Sequence, residues 1–473
     1  MKIAFVNPQG NFDRHDSFLT EHPDFGGQLI YVKEVALALG RLGVQVDILT
    51  RLIDDPEWPG FDAPVDDFGE LADSVRIVRL PFGGSRFLPK EALWPHLAGF
   101  ADAIESFYAG SMPDYATAHY ADGGYSCVLL QRRSGLGFTF TGHSLGAQKI
   151  DKLGVSRSNW PAMQDRYRFS ERIAAERLSM AGASTIITST DSERKEQYAH
   201  PLYRGAVDSS DPSRFRVIPP GINARIFNRD SDSDDPDFRR AIEARLDGAA
   251  QAHVVVSSRL DAKKNIAAVV EAFAGSRTLS ERARLALFVR GLDDPWDQLD
   301  RLRPDEREVL RPILERIEAA DLRDRVTFLN ASSQRELATA YRRLARAGSV
   351  FALPSLFEPF GLAPIEAAAC GLAVAATANG GPSEIFADGS GLLFDPEQPS
   401  DVAEKLLSAL DQQQQLAAMA SRRVRERYTW EKTAERYLDQ IRQDLSRQSV
   451  TAEPAELDAR ELIDEYLREK ARA

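Results

Sequence analysis

Apolar runs of strand length recur along this chain, each followed by a stretch with apolar residues at three- and four-residue spacing. Parallel strands need a crossover, usually a helix, so this alternation dictates a parallel sheet covered on both faces. The first series predicts strands at Ile3–Val6, Val44–Leu49, Val75–Leu80, Tyr115–Ala118, Gly137–Thr141, Thr185–Thr188 and Arg216–Ile218. Leu29, Ile30, Val32, Val35, Ala36 and Leu39 mark the helix between the first two. Pro219-Pro220-Gly221 then breaks the pattern, and the aspartate-rich stretch Asn228–Asp237 reads as a solvated linker rather than a metal site. A second series follows at His253–Ser257, Leu285–Val289, Val326–Leu329, Val350–Leu353, Ala373–Ala376 and Leu392–Phe394. The expected fold is α/β, with a doubly wound Rossmann-like domain over 1–225 and a second over 226–428, facing each other across a cleft. The charged tail over 429–473 is predicted helical, with Tyr437, Leu438 and Ile441 on one face. A chain of 473 residues is too long for a single ordinary core.

Charge excludes several classes of partner. A net charge of −12 argues against nucleic acid or an anionic membrane. The longest apolar runs are strand-sized, so none is predicted to span a bilayer. The chain enters a strand at Lys2 without a signal-peptide pattern, which predicts a cytoplasmic protein. Cys127 and Cys370 are far apart and lack metal-ligand spacing, so both read as reduced core thiols. Phosphorylated substrates would require a few cations to focus positive potential against this overall charge.

The segment after Val350–Leu353 concentrates the chemistry. Glu358-Pro359-Phe360-Gly361-Leu362-Ala363-Pro364-Ile365-Glu366 leads into an alanine-rich helix that ends at Gly371. Gly361 lets backbone approach a ligand, and the helix start presents free N–H groups and a positive dipole end. Two glutamates separated by seven residues suit separate hydroxyls of a sugar-bearing ligand, with the amides between them on its phosphate. This motif resembles the signature of retaining glycosyltransferases of family four. The resemblance implies that Glu358 contacts the transferred sugar, that Glu366 contacts the nucleotide ribose, and that Phe360, Gly361 and Leu362 border the donor.

Other strand ends carry cations and glycines. Arg259 and Lys264 follow His253–Ser257 at the crevice edge, where they suit a diphosphate: the arginine as a two-pronged donor, the lysine as a point charge. Such a pair stabilises a departing nucleoside diphosphate. Gly26-Gly27, before the first helix, forms a candidate phosphate loop but lacks the dinucleotide glycine fingerprint. Arg290-Gly291 and Asn330 sit at two further strand ends. His143 follows Phe138-Thr-Phe-Thr-Gly; no serine–histidine–acid arrangement and no zinc spacing accompanies it.

Asp24-Phe-Gly-Gly-Gln28 and Gly142-His143-Ser144-Leu-Gly-Ala-Gln-Lys149 closely resemble segments of sucrose-phosphate synthases, and the likeness runs from Asn7 to Trp430. It implies a GT-B fold, with the C-terminal helices crossing back to the first domain. It also implies transfer of glucose from a nucleoside-diphosphate glucose, with UDP-glucose the expected donor, to fructose 6-phosphate, giving sucrose 6-phosphate. By the same resemblance Lys90, Lys149 and Arg172 hold the acceptor phosphate, Gly27, Gln28, Tyr120 and Ser144 contact or enclose the fructose, and His143 lies beside the transferred sugar. The family's basic character upstream of Arg172 is absent here, where Ser170 and Glu171 stand. Catalysis is expected by front-face transfer, with Arg259 and Lys264 stabilising the diphosphate and no metal or other cofactor required. A mannosylfructose-phosphate synthase or a sucrose synthase would share the donor motif; a non-catalytic nucleotide-sugar sensor or a dehydrogenase fits the residues less well. No phosphatase domain is visible, so a separate phosphatase would release sucrose.

Overall fold

The computed structural model describes residues 1–18, 22–246, 251–447 and 457–472. The chain divides into two compact units, Met1–Pro219 with Thr433–Ala473, and Pro220–Lys432. Part of the tail read as helical, residues 448–456 and 473, lies outside the described residues.

The first unit is built on strands β1 (Lys2–Val6), β2 (Gln45–Arg51), β3 (Val65–Asp66), β4 (Val75–Leu80), β5 (Tyr115–His119), β6 (Phe138–Thr141), β7 (Thr185–Thr188) and β8 (Phe215–Val217). Their order is β3-β4-β2-β1-β5-β6-β7-β8, and all pairs are parallel except β3 with β4. Phe5 on the central β1 lies opposite Ile48 of β2 and Thr117 of β5. Ile3, Phe5 and Val6 are fully buried, as expected where helices cover both faces of a parallel sheet. Helices α1 (Gly27–Arg41), α2 (Tyr120–Ser134), α3 (Gly146–Lys152) and α4 (Phe169–Gly182) carry or flank the candidate residues of this unit. The two-residue antiparallel β3 has no counterpart in the sequence reading, being too short to show a period.

The second unit contains β9 (His253–Ser257), β10 (Arg284–Phe288), β11 (Val326–Leu329), β12 (Val350–Leu353), β13 (Ala373–Thr377) and β14 (Leu392–Phe394). Their order, β11-β10-β9-β12-β13-β14, is that of a mononucleotide-binding doubly wound sheet, with the order reversing between β9 and β12. Val254 and Val256 enter the core on one face of this sheet and Val255 enters the core on the other, following the period of two of a strand. Helices α5 (Gln334–Arg346) and α6 (Leu362–Ala369) pack on the Val255 face. Ala367 and Ala368 are fully buried there, so the alanine run is a close-packing surface.

Two further helices belong to the first unit, α7 (Trp430–Leu445, from Thr433 onward) and α8 (Arg460–Lys470). Tyr437 of α7 places its hydroxyl 3.1 Å from that of Tyr31 and 2.9 Å from Thr141 Oγ1. Asp444 accepts from Tyr115 at 2.8 Å and from Thr185 at 2.9 Å, joining the starts of β5 and β7. Both cysteines are buried free thiols. Among the described residues no helix is long and apolar enough to cross a membrane.

The aspartate-rich segment corrects the sequence reading. It is not simply a solvated linker, because the carboxylates of Asp230, Asp234 and Asp235 are structural. Asp230 caps a short 3-10 turn at Ser231–Ser233, and Asp235 accepts from the first amides of a helix over Pro236–Arg245. Asp234 is 6% exposed and accepts from Arg342 Nε of α5, itself 2% exposed, at 2.5 Å. Arg342 also donates to the carbonyl of Ile226 at 2.9 Å. Charge composition alone does not separate a capping or buried aspartate from a solvated one. Removing one partner of a buried ion pair costs about 3–5 kcal/mol, because the other charge is left uncompensated. Asp234→Ala is therefore expected to lower stability by about that amount in denaturant titrations, whereas Asp232→Ala, at an exposed position, leaves the midpoint unchanged.

Candidate functional site

In the second unit, the candidate residues stand at the carboxyl ends of β9, β10, β11 and β12, around the point where strand order reverses. Gly361 adopts φ +108°, a left-handed conformation that favours glycine, and precedes α6 with no side-chain cap. The N–H groups that open α6 thus remain available to an anion. The preceding loop is fastened to a glycine turn. Glu358 N donates to Asn379 O at 3.1 Å, and Glu358 O accepts from Gly381 N at 2.8 Å. A Cβ on Gly380 would come within 2.2 Å of Glu358 O, so close backbone contact requires glycine there.

Lys264 Nζ donates to Glu358 Oε2 at 2.6 Å, and the buried Ser355 hydroxyl reaches the same oxygen at 3.1 Å. A backbone bond from Leu356 N to Lys263 O, 2.9 Å, joins the two loops directly. Arg259, in contrast, is exposed and borders a 790 Å³ groove that Arg303 and Glu306 also line. Asn330 is a loop tie: its Oδ1 accepts from Gly291 N at 2.8 Å and its Nδ2 donates to Asp293 at 3.2 Å. Arg290 beside it is exposed, as are Leu362 and Phe357, while Phe360 is buried. Glu366 is partly buried on α6, and burial pushes its carboxyl up to about 7.

In the first unit, Gly26 caps α1 in extended conformation and Gly27 opens it, with open space beyond the Gly27 Cα. Gln28 Nε2 donates to Asn7 Oδ1 at 3.2 Å. Lys90, Tyr120 and Arg172 line one small pocket with Asp122 and Tyr167. Lys149 lies 4.2 Å above the Tyr167 ring. Burial, then the charges of Arg172 and Lys90, pull its ammonium down to about 8. The structure therefore brings Lys90, Lys149, Arg172 and Tyr120 together. The pocket measures only 20 Å³, about one water, so a sugar phosphate must move side chains aside to enter.

The cations do not simply repel one another, contrary to what their gathering in an acidic protein suggests. Lys90 pairs with the fully buried Asp24 through both its ammonium and its backbone N–H, the latter at 2.8 Å. Burial opposes the Lys90 charge, but Asp24 and Glu91 outweigh it and the pKa is raised. Arg172 Nε donates to the buried Glu176 at 3.0 Å, and its Nη2 donates to the carbonyl of Ser144. Glu176 also accepts from Gly146 N at 2.9 Å and from the Tyr203 hydroxyl. The sequence reading assigned no role to Asp24 or Glu176. The four-residue spacing of Arg172 and Glu176 on one helix was the available signal for the latter.

Tyr120 and His143 hold φ values of +62° and +54° at the ends of β5 and β6, conformations uncommon for side chains of this size. His143 Nε2 lies 2.9 Å from His119 Nδ1, and His119 Nε2 lies 2.9 Å from Thr117 Oγ1. Burial lowers His143 to about 3, so the ring is neutral near pH 7. Asp122, on the first turn of α2, is buried and pushed up to about 7 by burial. Among the described residues, no three histidine, cysteine or carboxylate side chains gather as a metal site.

Comparison with known proteins agrees with this architecture. Residues 26–221 match the glycosyl transferase 4-like domain, and residues 240–427 match the glycosyl transferases group 1 family. A probable sucrose-phosphate synthase of Thermosipho melanesiensis is 42% identical over 446 residues, covering 94% of this chain and 97% of that protein. A probable sucrose-phosphate synthase 1 of Craterostigma plantagineum is 32% identical over 472 residues, and the match spans 44% of that longer relative. The solved sucrose-phosphate synthase of Thermosynechococcus elongatus superposes with a TM-score of 0.65 at 26% identity, covering 94% of this chain and 99% of its own. The chain belongs to the sucrose-phosphate synthase family of glycosyltransferases, built on two Rossmann-like domains of the GT-B type.

Proposed function

We propose that this protein transfers glucose from a nucleoside-diphosphate glucose, UDP-glucose in the first instance, to fructose 6-phosphate with retention, giving sucrose 6-phosphate. The observation that carries the acceptor assignment is the convergence of Lys90, Lys149 and Arg172 beside Tyr120, in a protein of net charge −12. Among the described residues Lys149 has no carboxylate paired to it as Asp24 and Glu176 are to Lys90 and Arg172, and an incoming phosphate supplies the missing anion. Gly27, Gln28 and Ser144 are assigned to the fructose.

The donor falls to the second unit. A diphosphate at the uncapped start of α6 draws the Lys264 ammonium from Glu358, which frees that carboxylate for a hydroxyl of the transferred sugar. Arg259 shares the diphosphate charge, Glu366 takes the ribose hydroxyls, and Arg290, Asn330, Phe360 and Leu362 border the nucleotide. Neither glutamate then serves as a nucleophile, so the transfer proceeds on one face, with the leaving phosphate accepting the acceptor proton. His143 offers a neutral ring whose Nε2 faces His119, and its Nδ1 is assigned to a sugar hydroxyl. Side-chain cations and helix amides supply the positive charge, and no resident metal is required in this scheme. A cytoplasmic setting and a separate phosphatase that consumes the product complete the proposal.

Replacing Lys264 or Arg259 by alanine is expected to lower kcat by about 10²–10³, the scale of one lost charge-stabilising donor. Near-native turnover in both variants would remove them from the mechanism. Activity is also expected to persist in excess EDTA, and a complete loss that added divalent metal restores would overturn the metal-free scheme.

The acceptor assignment has its own measurement. Hydrogen bonds to charged groups contribute roughly 1.5–3 kcal/mol each, and 1.4 kcal/mol is about tenfold. Fructose 6-phosphate should therefore exceed free fructose in kcat/KM by about 10²-fold or more. Lysine is charged below its pKa, so this preference should be full below about pH 8 and decline above it, where free Lys149 loses its proton. Lys149→Ala should erase most of the preference at every pH while slow donor hydrolysis continues. Equal use of fructose by the wild type would point to a sucrose-synthase-like acceptor instead.

A further inference from the structure

The helices that carry two of the acceptor cations are gripped from behind by α8 and the residues just before it. Asp151 lies on α3, two residues after Lys149. Its Oδ1 accepts from the Tyr466 hydroxyl at 2.7 Å and from Lys470 Nζ at 2.6 Å, both on α8. His200 Nε2 reaches Asp151 Oδ2 at 3.0 Å, and the Tyr466 ring meets the His200 ring with centroids 4.9 Å apart. Ser170 lies on α4, two residues before Arg172, and is 1% exposed. Its hydroxyl donates to Asp458 Oδ1 at 2.5 Å and accepts from Ala459 N at 3.0 Å. Ile463 and Leu467 of α8 enter the same apolar cluster as Ala147 and Ile150 of α3.

We propose that residues 457–470 form a strap that positions Lys149 and Arg172 for the acceptor phosphate, with Tyr466 and Lys470 as positioning residues acting through Asp151. The inference rests on the acceptor assignment above and deepens it. The argument is geometric. α3 has only seven residues, its amino end is held by Glu176 through Gly146 N, and its carboxyl end is held by Asp151. Lys149 stands between these two anchors, and its ammonium has an aromatic face rather than a carboxylate beneath it. Releasing the Asp151 anchor leaves the ammonium free to shift, and small displacements of a binding group cost large factors in rate. The strap touches neither sugar nor nucleotide in this scheme, so its effect is confined to the phosphate of the acceptor.

The test uses the full chain carrying Tyr466→Phe and Lys470→Ala together, which remove both donors from α8 while keeping its apolar packing. The KM for fructose 6-phosphate is expected to rise about tenfold, whereas the KM for the donor and the kcat/KM for free fructose stay at wild-type values. The single variant Lys470→Arg, with Tyr466 intact, should retain wild-type behaviour. Hydrogen exchange of residues 146–152 in the ligand-free protein is expected to quicken in the double variant. An unchanged acceptor KM in the double variant, or an equal loss with fructose and fructose 6-phosphate, overturns the positioning role. If the wild type itself does not use fructose 6-phosphate, the acceptor assignment fails and the positioning role falls with it, and exchange over 146–152 then decides only whether α8 anchors α3: unchanged exchange overturns the anchor as well.

Discussion

Glu176 is fully buried and takes three donors: the first amide of α3, the guanidinium of Arg172 and the hydroxyl of Tyr203. Much of the edge of the first unit where Lys149 and Arg172 gather depends on this carboxylate. Without it Arg172 would be a buried charge lacking its counter-ion, a situation that costs several kcal/mol and that proteins avoid. Asp24 does the same for Lys90, and Asp234 does it for Arg342 in the second unit. In each case a carboxylate behind the cation sets its position and leaves some of its N–H groups directed elsewhere. Lys149 differs, with Tyr167 beneath it, and burial followed by the charges of Arg172 and Lys90 lowers its pKa.

The two units place their chemistry by the same rule. Loops leave the carboxyl ends of parallel strands beside a reversal of strand order, where helices diverge and backbone amides face a crevice. Several of these exits use left-handed backbone: Tyr120 and His143 in the first unit, Asn265 and Gly361 in the second. Such conformations cost about 1–3 kcal/mol for ordinary residues and persist where surrounding contacts dictate them. At His143 those contacts are the ring chain through His119 to Thr117 and the edge of Tyr31, which α7 in turn anchors through Tyr437.

Much of the fold was legible before the structure. Buried parallel strands such as β1, β5 and β12 are dominated by apolar residues, and the crossover helices repeat with helical period, so strand positions came within a residue or two. Glu358 and Glu366 were picked out by their local spacing, and the structure places them before and on α6 as that spacing implied. The Asn228–Asp237 stretch was misread because a capping aspartate, a buried aspartate and a solvated one have the same composition. Only the packing of α5 shows that Asp234 meets Arg342.

The sequence by itself therefore determined the two doubly wound sheets and the family, since each depends on periodicity or on motifs contiguous in the chain. The tertiary structure decided the electrostatics. Which carboxylate neutralises Lys90, Arg172 or Lys264 is a pairing across 66, 4 and 94 residues respectively. So is the grip of α8 on Asp151, which joins positions 315 residues apart. Except for the i,i+4 pair of Arg172 and Glu176, chain separation says nothing about such contacts, because the strength of a charge pair depends on distance and burial in space, and both are set only when the helices have packed.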